Sequence, residues 1–169
     1  MQTTANPALD KINRRLVTLC VIGLALSVYI YIVGYNKKQD PSYKALCDIS
    51  ETISCTDVLS SEYSKGFGII PKSCFLRLYE VPNFVFGIIF FTVTLIISLK
   101  NSYASSVALL VLGIISILSS VYLAFILYKL EKICIVCVST YVVCTLLMYH
   151  SLKKFRIVSA NMAHQQKTK

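Results

Sequence analysis

Two of the seven cysteines stand at a spacing that invites chemistry: Cys134 and Cys137, within Lys132-Ile133-Cys134-Ile135-Val136-Cys137-Val138-Ser139-Thr140-Tyr141. Two thiols three residues apart on a helix come close enough to form and break a disulfide. A helix N-terminus adds partial positive charge that favours a thiolate. Three readings compete: redox chemistry, half of a zinc site, and two small side chains packed in a helix. Zinc would need two further ligands. Cys47 and Cys55 offer themselves, but the seven residues between them do not make the usual knuckle. A second cysteine pair in a polar segment weights the balance towards redox. Cys47 and Cys55 read either as a staple in a loop or as a disulfide that exchanges with Cys134 and Cys137 through a mixed disulfide.

The elements that position these thiols are legible from hydropathy. Of 169 residues, 56% are hydrophobic and only 15% charged, and the mean hydropathy is +0.66. Four apolar runs, about 16–35, 83–99, 103–128 and 133–152, predict an all-α chain: one membrane-embedded domain built as a four-helix transmembrane bundle. Residues 36–82 form a cap between the first two spans, a polar stretch too long to be a mere connector. The first run follows basic residues, as a signal peptide does. Its length, its lack of a small-residue cleavage site and the interfacial Tyr29, Tyr31 and Tyr35 mark it as a retained span. The net charge of +9 does not indicate nucleic acid, because the cations cluster at chain ends and between apolar runs, not along one stripe. The polar tail after Arg156 is expected to lack structure.

Four spans put both termini on one side and every polar-segment cysteine on the other. Lys11, Arg14 and Arg15 before the first span, and Lys153, Lys154 and Arg156 after the last, favour cytosolic termini. The cysteine side then faces an oxidising compartment. Cys20 and Cys144 fall inside apolar runs, where a thiol acts as a small hydrophobe. Tyr141 follows Cys137 by one helical turn on the cysteine face, placed either for packing or for donating a hydrogen bond to a bound carbonyl. Asn83, after Pro82, suits a helix cap, or a donor to a ligand oxygen.

Ala45-Leu46-Cys47-Asp48, Ser54-Cys55, Gly66-Phe67-Gly68, Asn83 with Phe86-Gly87, Ser120-Val121-Tyr122-Leu123-Ala124, and Cys134-Ile135-Val136-Cys137 with Tyr141 occur in the order found in the vitamin K epoxide reductases. The chain resembles the animal, single-domain form of that family over about residues 16–152. The resemblance implies reduction of vitamin K epoxide to the quinone and of the quinone to the hydroquinone. Cys137 would be the attacking thiolate and Cys134 the resolving thiol. The redox-active disulfides would be Cys134–Cys137 and Cys47–Cys55, exchanging through Cys55 and Cys134. Asn83 and Tyr141 would bond the substrate oxygens, and Phe86, Phe90, Leu123, Leu59 and Tyr63 would line the pocket.

It also implies a lumenal thioredoxin-fold electron donor, an isoprenoid quinone or epoxide as substrate, and susceptibility to coumarin-type inhibitors. A monomer in the endoplasmic reticulum membrane, with no bound cofactor and no metal, completes the expectation. The alternative is a membrane oxidase that makes disulfides for secretory partners and passes the electrons to a quinone. The chain departs from the family pattern in four places. Leu59 replaces an aromatic, Tyr63 replaces a loop tryptophan, Phe84 stands where a serine is usual, and an additional Cys74 lies in a slightly shortened segment before Asn83.

Overall fold

A computed structural model describes residues 7–64 and 81–167. The described residues form five helices: α1 (Pro7–Gln39), α2 (Cys55–Ser60), α3 (Asn83–Ser98), α4 (Tyr103–Lys129) and α5 (Ile135–Lys167), with a 3-10 turn at Glu62–Ser64. Helices α1, α4 and α5 are long and apolar enough to cross a membrane, and the shorter apolar α3 completes the four-helix bundle. Ser102 caps α4, its hydroxyl accepting from the Ser105 amide at 3.1 Å.

Two boundaries differ from expectation. Helix α1 begins at Pro7, well before the apolar run, because Leu9, Ile12, Leu16, Leu19 and Cys20 continue a buried stripe at helical spacing. Pro at the first helical position and Asp10 in the first turn suit that start. At the other end, α5 runs on through the polar tail to Lys167. Val158 is buried there and Ile157 packs against the main core, so tertiary contact carries the helix past its apolar run.

Helix α1 packs on α3 and α5, and α4 packs on α5 and, more lightly, on α3. The main core joins Ile12, Leu16, Leu19 and Cys20 of α1 to Phe91 of α3, Leu109 of α4, and Val143, Cys144 and Leu147 of α5. Outward faces stay apolar: Val28, Ile89, Ile96, Leu118 and Val142 are exposed, the reverse of a water-soluble bundle and the surface a lipid phase wants.

The α1–α3 crossing depends on Gly23. A Cβ there would lie 2.3 Å from Phe91 Cε1, far inside van der Waals contact, and Phe91 is fully buried. Gly23→Ala is therefore expected to destabilise the bundle by about 1–3 kcal/mol, read as a lowered thermal midpoint in detergent. An unchanged midpoint would show that the ring has room to retreat.

Lys154 fixes the end of the bundle away from the cysteines. Its side chain is fully buried, and Nζ donates to the carbonyls of Ser98 and Lys100 at 2.8 Å each. A lysine at these carbonyls satisfies acceptors that α3 leaves open at its C-terminus. Asn13 of α1 donates to Asn101 at the same end, so the start of α1, the α3–α4 turn and the later half of α5 meet there.

Candidate active site

At the opposite end, among the described residues, a few bonds hold the cap to the segment that leads into α5. The Ile133 amide donates to Thr52 O at 2.8 Å and the Ser54 amide to Ile133 O at 3.1 Å, an isolated parallel bridge between Ile53 and Ile133. Since Cys55 follows Ser54 and Cys134 follows Ile133, this one bridge brings the two cysteines side by side. Lys132 reinforces it, pairing with Asp57 at 2.9 Å and donating to the Glu51 carbonyl. Lys132 follows the Schellman-type end of α4, in which its amide donates to Leu127 O and that of Glu131 to Tyr128 O. Glu131 takes the left-handed position at φ 53°, which reverses the chain from α4 towards α5.

Asp48 organises the interior of the cap. Its carboxylate accepts from the amides of Ala45 (2.9 Å), Cys55 (2.7 Å) and Thr56 (3.0 Å), and from the hydroxyls of Ser54 (3.0 Å) and Thr56 (2.6 Å). Two of those amides open α2, so the charge also sits at a helix N-terminus. Burial alone would raise this carboxyl. The hydrogen bonds, led by those from Thr56, outweigh it and hold the group at about 2.

A carboxyl held below its unfolded value stabilises the fold above the unfolded value. That contribution is lost as pH falls through the folded one. Cap protection is therefore expected to be complete above about pH 4 and to fade as pH falls towards 2. Limited proteolysis of residues 40–64 in membranes follows this directly. Asp48→Asn should flatten the profile, and a profile unchanged in that variant would remove Asp48 as its source.

The sulfurs form a short chain. Cys47 and Cys55 are disulfide-bonded. Cys55 Sγ lies 3.8 Å from Cys134 Sγ, and Cys134 Sγ lies 2.6 Å from Cys137 Sγ. Closing the last pair needs a movement of only ~0.5 Å. Cys134 does not lie within the helix as expected. It is the residue just before α5, where its carbonyl accepts from the Val138 amide at 3.0 Å and its sulfur from the Cys137 amide at 3.3 Å. The thiol thus acts as the N-cap side chain. Cys55 and Cys134 are 0% and 1% exposed, and Cys137 is half-buried.

The zinc reading gains nothing. Cys47, Asp48 and Cys55 offer ligand atoms within 4.8 Å of one another, but the two sulfurs are bonded to each other and the carboxylate is taken up by five hydrogen bonds.

Cys137 opens onto an apolar cavity of about 420 Å³ lined by α1, α3, α4, α5 and the cap. All seven expected pocket residues line it: Asn83, Tyr141, Phe86, Phe90, Leu123, Leu59 and Tyr63. Leu59 and Tyr63 come from the cap, and Lys129 Nζ sits 5.8 Å above the Tyr63 ring. Asn83 does not cap α3. Pro82 holds that position, and the Asn83 amide donates to Tyr63 O at 2.9 Å, tying the helix to the cap. Among the described residues none bonds to the Tyr141 hydroxyl, which leaves it available to a guest. Phe84 joins the wall and meets Tyr31 edge-on, with ring centroids 5.6 Å apart.

Sequence reasoning missed the hydroxyls of this wall: Ser27, Ser116, Ser119, Ser120 and Thr140. The signal was present, because Ser116, Ser119 and Ser120 repeat at i, i+3 and i+4 inside an apolar run. Ser27, Ser116 and Thr140 donate to carbonyls of their own helices, leaving acceptor lone pairs towards the cavity. Cys144 is not only core packing. It also lines the cavity. Gly66-Phe67-Gly68 and Cys74 lie outside the described residues.

A membrane bundle with one thiol of a close pair on the wall of an apolar pocket, and a disulfide in contact behind the other, defines the class of membrane thiol–disulfide oxidoreductases. Comparison with known proteins narrows the class. Residues 15–152 match the sequence model of the Vitamin K epoxide reductase family. The Vitamin K epoxide reductase complex subunit 1 of Mus musculus is 37% identical over 138 residues, covering 80% of this chain and 86% of that protein. The Rattus norvegicus protein of the same name is 35% identical over 144 residues, covering 84% and 89%. The chain belongs to the vitamin K epoxide reductase family, as its motifs implied, and is an oxidoreductase.

Proposed function

We propose that the chain reduces vitamin K epoxide to the quinone and the quinone to the hydroquinone, with electrons passing from a thioredoxin-fold partner through Cys47, Cys55, Cys134 and Cys137. The observation that carries this is the order of the sulfurs. Only Cys137 of the four lines the cavity, and Cys134 lies between it and Cys55.

The Cys137 thiolate attacks a carbon of the epoxide and opens the C–O bond. Asn83 and Tyr141 donate hydrogen bonds to the substrate oxygens as negative charge gathers there. Cys134 then attacks the Cys137 sulfur. The carbon–sulfur pair returns to the substrate, the former epoxide oxygen leaves as water, and a Cys134–Cys137 disulfide remains. In the second reduction the quinone takes two electrons and two protons from the Cys134–Cys137 dithiol after that pair has been re-reduced. Once a partner has reduced Cys47–Cys55, Cys55 attacks Cys134 and frees Cys137. Cys47 then resolves the mixed disulfide and restores the oxidised loop pair seen here.

Leu46, 93% exposed, and Ile49, 67% exposed, stand out beside Cys47, and an apolar landing of this kind suits a protein donor. The apolar cavity within a bundle suits a substrate that arrives from lipid by its isoprenoid tail, and a flat coumarin-type inhibitor could occupy it too. The site lies in the endoplasmic reticulum membrane with both termini cytosolic, as the basic residues flanking the first and last spans favour, and the chain acts as a monomer.

The deciding experiment measures epoxide turnover in membranes supplied with a dithiol reductant. Quinone and then hydroquinone should accumulate. Quinone-dependent oxidation of a thiol partner without any epoxide turnover would instead establish the disulfide-generating oxidase.

A further inference from the structure

A second cavity of about 620 Å³ lies at the end of the bundle opposite the sulfurs, between α1 and α5. Lys11, Arg14 and Arg15 of α1 and His150 of α5 line it. Asp10, the acidic residue on the same turn of α1, is not part of the lining. None of the three α1 cations has an ion pair or side-chain hydrogen bond among the described residues. His150 is 8% exposed, and its buried Nδ1 has no partner. Buried polar atoms are normally satisfied, so an unmet hydrogen bond lies within His150 of the wall, beside the unbalanced positive charge.

The location adds a constraint. The cations sit where the apolar run of α1 begins, and Leu19 and Leu146 line the same cavity. Leu146 is exposed, as are Val142 on α5 and Ile22 on α1. The site therefore has a cationic mouth at the membrane boundary and an apolar groove leading away from it. A free anion would use only the mouth. An anionic phospholipid would use both, its phosphate among the cations and an acyl chain along α1 and α5.

We infer that this cavity binds the phosphate headgroup of an anionic membrane lipid, held by Lys11, Arg14, Arg15 and His150. The full-length chain, purified in detergent, should retain dioleoyl phosphatidic acid in native mass spectrometry and be stabilised by it thermally more than by phosphatidylcholine. Arg14→Gln with Arg15→Gln should weaken phosphatidic acid binding on the order of 25-fold, each basic contact contributing about fivefold. Removing these charges also bears on membrane orientation, so Thr18→Trp provides a second variant that fills the cavity with every charge kept, and it should abolish the lipid preference. Lys153→Gln, outside the lining, should leave it intact.

Equal stabilisation by phosphatidylcholine would overturn the inference, as would undiminished phosphatidic acid binding in both cavity variants. Glycerol 3-phosphate bound as tightly as phosphatidic acid would overturn the lipid assignment in favour of a soluble phosphate.

Discussion

Cys137→Ala should reduce epoxide and quinone turnover to background with every electron donor, while Cys134→Ala should stop one step later. Without Cys134 no neighbouring sulfur of the relay reaches Cys137, because Cys55, disulfide-bonded to Cys47, lies behind Cys134. A substrate carbon captured by Cys137 then has no rapid exit. Mass spectrometry of Cys134→Ala incubated with epoxide should find a stoichiometric adduct on Cys137, and the Cys134→Ala, Cys137→Ala double variant should carry none. The loss of rate should reach several orders of magnitude, since a nucleophile acting as part of a unit takes the whole reaction with it. An adduct on Cys144, which shares the cavity, would reassign the nucleophile.

The second large effect concerns a residue that touches no substrate. Asp48→Ala should unravel the cap, with a local destabilisation on the order of 3 kcal/mol, because it strands three amides and two hydroxyls in a partly buried site. The Lys132–Asp57 pair offers a comparison. It is closer to the surface, with side chains 31% and 53% exposed, and Asp57→Asn should alter stability by less than about 1 kcal/mol. Turnover separates the roles further. On the proposed route, a small dithiol would reduce an oxidised Cys134–Cys137 pair directly once the cap loosens, whereas a protein donor would need Cys47 and Cys55 in place. Asp48→Ala should therefore lose at least about tenfold more activity with a protein donor than with dithiothreitol, on the view that exchange depends on access and placement. Equal losses would show that Asp48 supports the pocket and not the route of the electrons.

What the sequence disclosed and what it withheld divide along physical lines. Spans are written in composition, so the four apolar helices and the shared side of the cysteines follow from hydropathy alone. Asn83 and Tyr141 stood out by position and spacing, the other five pocket residues came from the family resemblance, and the folded chain gathers all seven around one cavity. The cap was less legible because non-local hydrogen bonds build it. Nothing in Ile53 or Ile133 marks them as partners, and Asp48 looks like any acid in a polar loop. Asn83 had the right residue type for a cap, but Pro82 already fixes the entry to α3, and that releases the amide to reach Tyr63. The extended ends of α1 and α5 were hidden by their polar residues, some of which, such as Asp10, Lys11 and Arg156, are exposed, while Lys154 is buried against the carbonyls of Ser98 and Lys100.

The burial of Cys55 and Cys134 carries a consequence for the cell as well as for the reaction. These sulfurs are closed to solvent, so glutathione and other ambient thiols have no path to the middle of the chain, and oxidants have none either. On the proposed relay the exchange takes place behind this shield, with one terminal at the loop and one at the cavity. On that route shape limits leakage into the surrounding thiol pool, without any need for the donor to be the strongest reductant present. A variant that opened this sheath would not simply be slower: it would become a short circuit, consuming whatever thiol happened to be nearest.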